Sequence, residues 1–164
     1  MIRLNKKQEK AFTNYLLGQW FIEEGSGRIV YEFRDMFVVK IAKNKNGYHQ
    51  NKNEIERYLK YGGERLAHII AYSKKIVVME KLRLNDIEID KEKRDEMCAW
   101  LDKICGCDST DHYDSLGFRK NGDLVYYDYG DSPKTYDKQN KLDMYIRDYV
   151  ANEGEKIING ETKL

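Results

Sequence analysis

Apolar residues crowd into two short runs near the start of the chain, Arg28-Ile-Val-Tyr-Glu-Phe33 and Phe37-Val-Val-Lys40-Ile-Ala42. Their β-branched and aromatic content and the Arg34-Asp35 break predict a hairpin with strands over about 28–33 and 36–43. Ahead of them, Phe12, Tyr15 and Leu16 share one face of an amphipathic helix over 5–18, with Asn5 as its cap. Turn chemistry at Asn44-Lys-Asn-Gly47 precedes a helix over 50–61, in which Ile55, Tyr58 and Leu59 follow helical spacing and Gly62-Gly63 marks the end. Two apolar runs over 67–71 and 76–79 complete a small, mostly antiparallel sheet. Downstream, Met97, Trp100, Leu101 and Ile104 predict a helix over 90–105. A hairpin turning at Lys120-Asn-Gly-Asp123 follows, then a last helix over 138–152.

Lys40 breaks the pattern. An ammonium in a run of valine, isoleucine and alanine is costly unless an anion or carboxylate meets it. Val38, Val39, Ile41 and Ala42 make its strand read as covered on both faces, so a solvent-facing lysine is the weaker reading. Glu54 and Glu56 both flank the Ile55/Tyr58 face and compete as its partner. Just upstream, Gly25-Ser26-Gly27 forms a glycine turn where a backbone can approach a phosphate closely. Asp128 ends the apolar stretch Leu124-Val-Tyr-Tyr and precedes Gly130, a placement that suits a Mg²⁺ ligand as well as a turn.

Composition narrows the classes. The 164 residues suit one domain, and 41% hydrophobic content is enough to bury a core. With 29 basic against 28 acidic side chains, the net charge of +1 gives nucleic-acid binding no support. No run reaches the ~20 apolar residues of a membrane span, and the N-terminus lacks an apolar signal core, so a cytoplasmic protein is expected. Three cysteines within ten residues make no disulfide framework. Cys98, Cys105, Cys107 and His112 lack the usual zinc-knuckle spacing, and Cys98 and Cys105 fit the apolar helix face. The 13 tyrosines point towards a protein partner, since tyrosine is enriched at binding surfaces.

The order glycine turn, Val-Val-Lys40-Ile-Ala, helix with Glu54, Ile76-Val-Val-Met79-Glu80-Lys-Leu82 and Asp128-Tyr-Gly130 resembles the protein-kinase fold. Lys40-Ile-Ala-Lys-Asn-Lys-Asn-Gly47 with Gln50-Asn51-Lys-Asn-Glu54 more closely resembles small kinase-like proteins of bacterial viruses and prophages. The resemblance spans about 21–131. It implies an α+β fold: an N-terminal helix over 1–20, a sheet with one packed helix over 21–83, and a reduced helical lobe over 84–164. It also implies ATP as the ligand, with Gly25, Ser26 and Gly27 over the phosphates. Lys40 would bridge phosphates and be held by Glu54, while Met79, Glu80 and Leu82 would form a hinge against adenine. Asp128 would hold Mg²⁺.

The chain departs from that pattern in its catalytic loop. Ser115 stands where the second metal ligand belongs and Thr110 where the base belongs; Asp111 is the first substitute for the base and Asp114 the second. Val30 replaces the third loop glycine, and no Ala-Pro-Glu motif follows Gly130. Two functions therefore stay open. One is a nucleotide-binding phosphotransferase. The other is a pseudokinase-type interaction protein, such as a phage-encoded modulator of a host protein.

Overall fold

The computed structural model describes residues 1–17, 19–84, 89–105 and 115–130. Its centre is the expected hairpin, β3 (Arg28–Phe33) and β4 (Phe37–Ala42), inside a six-stranded sheet. The other strands are β1 (Ile2–Arg3), β2 (Phe21–Glu24), β5 (Ile69–Tyr72) and β6 (Ile76–Glu80), in the order β1-β5-β6-β4-β3-β2. Every neighbouring pair is antiparallel except β1 with β5. The register pairs Phe33 with Phe37, so the hairpin loop holds three residues rather than the two that were expected. Arg34 and Asp35 both adopt positive φ there, 53° and 54°.

Strand alternation divides the sheet into two faces. On one, Tyr31, Val39, Ile41, Ile76 and Val78 pack under Leu16 of helix α1 (Lys6–Leu16). Asn5 and Gln8 close a reciprocal capping box at the start of that helix. On the other face, Val77 and Met79 join Met97 and Leu101 of helix α3 (Lys91–Cys105) and Val125 and Tyr126. These last two belong to a separate hairpin, β7 (Leu116–Phe118) and β8 (Leu124–Tyr126). Helices thus cover both faces, where one packed helix was expected. No described helix is long and apolar enough to cross a membrane.

Helix α2 (Lys45–Tyr61) departs most from expectation. It starts five residues early, through the stretch read as a turn, because Asn44 caps it by accepting from the amides of Asn46 (3.0 Å) and Gly47 (3.1 Å). Leu59, expected on the packed face, is 65% exposed. Ile55 and Tyr58 pack partly buried against the core as expected, but the fully buried positions form a polar stripe: Asn46, Gln50 and Glu54 one turn apart, with Gly47 and Asn51 beside them. Gly47 explains why the helix can lie so close to the sheet. A Cβ there would stand 2.8 Å from the Gly27 carbonyl carbon and 3.0 Å from Ala42 Cα.

Gly47→Ala should therefore reverse the usual sign. In an open helix that change stabilises by about 1 kcal/mol. Here it should destabilise by at least about 1 kcal/mol, because the obstructing atoms are backbone and cannot swing aside. Urea denaturation decides it, and a raised midpoint would mean that the approach of Gly47 to Gly27 and Ala42 is not as close as described.

Candidate functional site

Four charged side chains from four places in the chain meet on the α2 side of the sheet. Lys40, midway along β4, donates from Nζ to Glu54 Oε1 at 2.6 Å and to the Tyr127 carbonyl at 2.7 Å, and stands 3.3 Å from Asp128 Oδ1. Arg28, the first residue of β3, donates from Nη2 to the same Asp128 oxygen at 2.6 Å. Its Nη1 stands 3.0 Å from Glu54 Oε2. Each carboxylate therefore faces both cations, and the formal charge of the quartet is zero. Glu54 is 0% exposed, Lys40 4% and Arg28 6%, while the Asp128 side chain keeps 39% of its surface open. Burial would raise the Asp128 carboxyl, but the Lys40 and Arg28 charges outweigh it and hold the group well below the usual carboxylate range.

Local structure brings these groups together. The α2 polar stripe carries Glu54 onto the sheet, whereas the rival Glu56 is exposed and sits 3.7 Å from Lys52 on the same helix. Asp128 is held by its neighbours. Tyr129 is buried, with its hydroxyl donating to the Ala67 carbonyl at 2.9 Å, and Arg57 of α2 donates to the Tyr129 carbonyl. Asn53 donates to the Gly130 carbonyl at 2.8 Å. A Cβ on Gly130 would stand 2.8 Å from the Gln50 carbonyl oxygen, so the Asp-Tyr-Gly sequence is also a helix-packing motif.

The glycine turn has a similar second role. Asn44 donates to the Ser26 carbonyl at 2.8 Å and the Lys43 amide to the Gly27 carbonyl at 2.9 Å. A Cβ on Gly27 would lie 2.9 Å from the Gly47 amide nitrogen, so helix packing alone requires glycine there. Gly25 is different: its Cβ direction is open apart from the Arg28 carbonyl at 3.8 Å.

Beside the quartet opens a cleft of about 630 Å³, within the range of small-molecule sites. Gly25, Ser26 and Gly27 border it, Val30, Val38, Met79 and Leu82 supply apolar walls, and Lys40 and Asp128 stand at the charged end. Glu80 reaches the cleft at its strand end, but its carboxylate accepts from the His68 amide at 2.7 Å and from Arg119 Nε at 2.8 Å. Arg119 also donates to the carbonyls of Gly63 (2.6 Å) and Leu66 (2.9 Å), and Arg83 exchanges backbone bonds of 3.0 Å with Phe118. The 80–83 segment is thereby latched to the β7–β8 hairpin.

An ATP-like ligand fits this donor set: an apolar slot runs into two buried cations and a glycine turn. Mg²⁺ meets a poorer donor set: among the described residues no group of three or more His, Cys, Asp or Glu could hold a metal ion, and Asp128 Oδ1 already faces Arg28 and Lys40. Ser115, expected as a second metal ligand, approaches the site through its backbone, its carbonyl accepting from the Tyr127 amide at 3.0 Å. Asp111 and Asp114, expected as bases, lie outside the described residues, as do Cys107 and His112. Cys98 is buried and accepts from the Tyr126 hydroxyl at 2.9 Å.

Sequence reading missed Arg28, Arg119 and the α2 stripe. Arg28 shares strand parity with Val30, and Val30 pairs directly with Lys40, so period two already placed it on the Lys40 face. Asn46, Gln50 and Glu54 repeat every four residues, a visible polar signal. Nothing local marked Arg119, whose partners are 39 to 56 residues away.

No family model matches the chain, and no curated protein matches it in sequence. Among solved structures it is similar to APH(2")-IIa in its ternary complex with streptomycin and ATP. That match has a TM-score of 0.42 at 13% identity and covers 67% of this chain and 43% of that one. The gentamicin complex of APH(2")-IIa gives a TM-score of 0.40 at 13% identity, covering 74% and 47%. This chain therefore spans less than half the length of either neighbour.

Removing one member of a buried charge group leaves its partners uncompensated. Glu54→Ala should cost about 3–5 kcal/mol, and Glu56→Ala no more than about 0.5 kcal/mol. Comparable losses in chemical denaturation would contradict the assignment of Glu54 as the partner. The Asp128 carboxyl is lower in the folded state than its unfolded value of ~3.9. Its contribution to stability is therefore fully present above that value and lost as the pH falls towards and through the folded one. Asp128→Asn should flatten the acid limb of the stability–pH profile, and identical limbs in mutant and wild type would rule out the pairing.

Proposed function

We propose that the protein is a kinase-like nucleotide-binding protein whose cleft takes ATP. The observation that carries this reading is the 2.6 Å contact between Lys40 and Glu54 at the closed end of an apolar cleft bordered by a glycine turn. In this reading Val30, Val38, Met79 and Leu82 enclose the base, and the Gly25–Gly27 turn covers the phosphates. Lys40 meets those phosphates, with its position set by Glu54. A buried ion quartet supports the reading on energetic grounds. Apolar residues of similar volume would fill the space at no loss of stability, so stability alone does not explain four charges beside an open cleft.

Phosphoryl transfer would require a base from Asp111 or Asp114 and a route for charge neutralisation that avoids a metal on Asp128. A second reading, nucleotide binding without transfer in an interaction protein of the pseudokinase type, is favoured by one feature. The carboxylate that should hold the metal is bonded to Arg28 at 2.6 Å. Both readings share the ligand, so binding is tested first.

Thermal unfolding with and without ATP should show the native state stabilised, by about 2.7 kcal/mol at a hundredfold excess over Kd. Lys40→Met, itself less stable because Glu54 and Asp128 lose a buried partner, should show no ATP-dependent shift relative to its own ATP-free midpoint. A well-folded wild type that ignores millimolar ATP would remove the nucleotide reading and leave only the architecture.

A further inference from the structure

We propose that the cleft takes its nucleoside phosphate without a divalent cation, because the Arg28 guanidinium occupies the side of Asp128 where such an ion would bind. The inference rests on the nucleotide reading of the cleft and goes beyond it by fixing the ionic form of the ligand.

Arg28 and Lys40 together surround one oxygen of Asp128, at 2.6 Å and 3.3 Å. A hard cation coordinating that oxygen would either sit against two positive charges or expel them. Expulsion of Arg28 is opposed by its setting. The side chain is 6% exposed and its second nitrogen stands 3.0 Å from Glu54 Oε2, so its planar fork spans two carboxylates that point charges would serve less well. Its backbone is held too, because Gly27 immediately before it is packed against Gly47 at the start of α2.

Arg28 thus supplies the positive charge that Asp128 needs, and it does so at every pH at which the protein is folded, since a guanidinium does not lose its proton. Lys40 is then the cation that would meet phosphate, by giving up part of its contact with Glu54 and Asp128.

Calorimetric titration with ATP, in excess EDTA and in millimolar Mg²⁺, tests this on the wild type. The apparent dissociation constant should be lower in EDTA than in millimolar Mg²⁺, because Mg²⁺ withdraws free ATP as its magnesium complex. Equal or tighter binding with Mg²⁺ would overturn the inference and leave the nucleotide reading standing; no binding in either buffer would overturn both. Arg28→Gln uncovers Asp128 and should acquire Mg²⁺ stimulation of about tenfold or more. A folded Arg28→Gln protein that gains none would count against Arg28 as the substitute. The Mn²⁺ resonance signal gives a readout that needs no variant. Adding nucleotide-free wild-type protein should leave the free-ion signal unchanged, and stoichiometric loss of that signal would overturn the proposal.

Discussion

Two cations and two carboxylates share the space between β3, β4, α2 and the segment from Tyr127 to Gly130, and the placement of each depends on the other three. Lys40 is tolerable in a buried strand because Glu54 and Asp128 meet it, and Glu54 is tolerable at zero exposure because Lys40 and Arg28 meet it. The quartet links the start of β3, the central strand, the helix and Asp128, just after the second hairpin, into one electrostatic unit. Its neutrality matters for binding. In the proposed reading, a ligand phosphate entering beside it would draw on Lys40 only at the expense of its present partners, so binding would be coupled to the rearrangement of a buried network.

The quartet is possible only because backbones come unusually close. Gly27 meets Gly47, and Gly130 meets Gln50, at separations that leave no room for a Cβ. These contacts press a polar helix face against a sheet, where an apolar face would ordinarily go. Glycine is required here by helix–sheet packing. The same phrase that resembles a phosphate loop is therefore also the hinge pin of the α2 packing. A similar double role falls to Glu80, whose carboxylate joins the Arg119 latch while its strand end borders the cleft.

What was legible in the chain follows from local physics. Strand and helix periods located the central hairpin, α1, β6, α3 and the second hairpin to within a few residues, because each repeats an apolar spacing that must face a core. Lys40 stood out as a charge in an apolar run, and that oddity alone demanded a carboxylate. The start of α2 was hidden because Asn44-Lys-Asn-Gly47 has ordinary turn chemistry. Its helical state depends on Asn44 capping the helix and on Gly27 occupying the space above Gly47. Leu59 was misplaced because an apolar stripe was assumed to be the buried one.

The sequence by itself determined the central hairpin, α1, β6, α3 and the second hairpin to within a few residues, and that Lys40 needs an anionic partner, because both follow from short-range spacing and desolvation cost. Only the tertiary structure decided that the partner is Glu54 rather than Glu56, that Ile2–Arg3 and Phe21–Glu24 join the sheet as strands, and that Arg28 closes over Asp128. These depend on distances between groups as many as 100 residues apart. Such distances are set by how closely backbones can pack, and no local pattern encodes them.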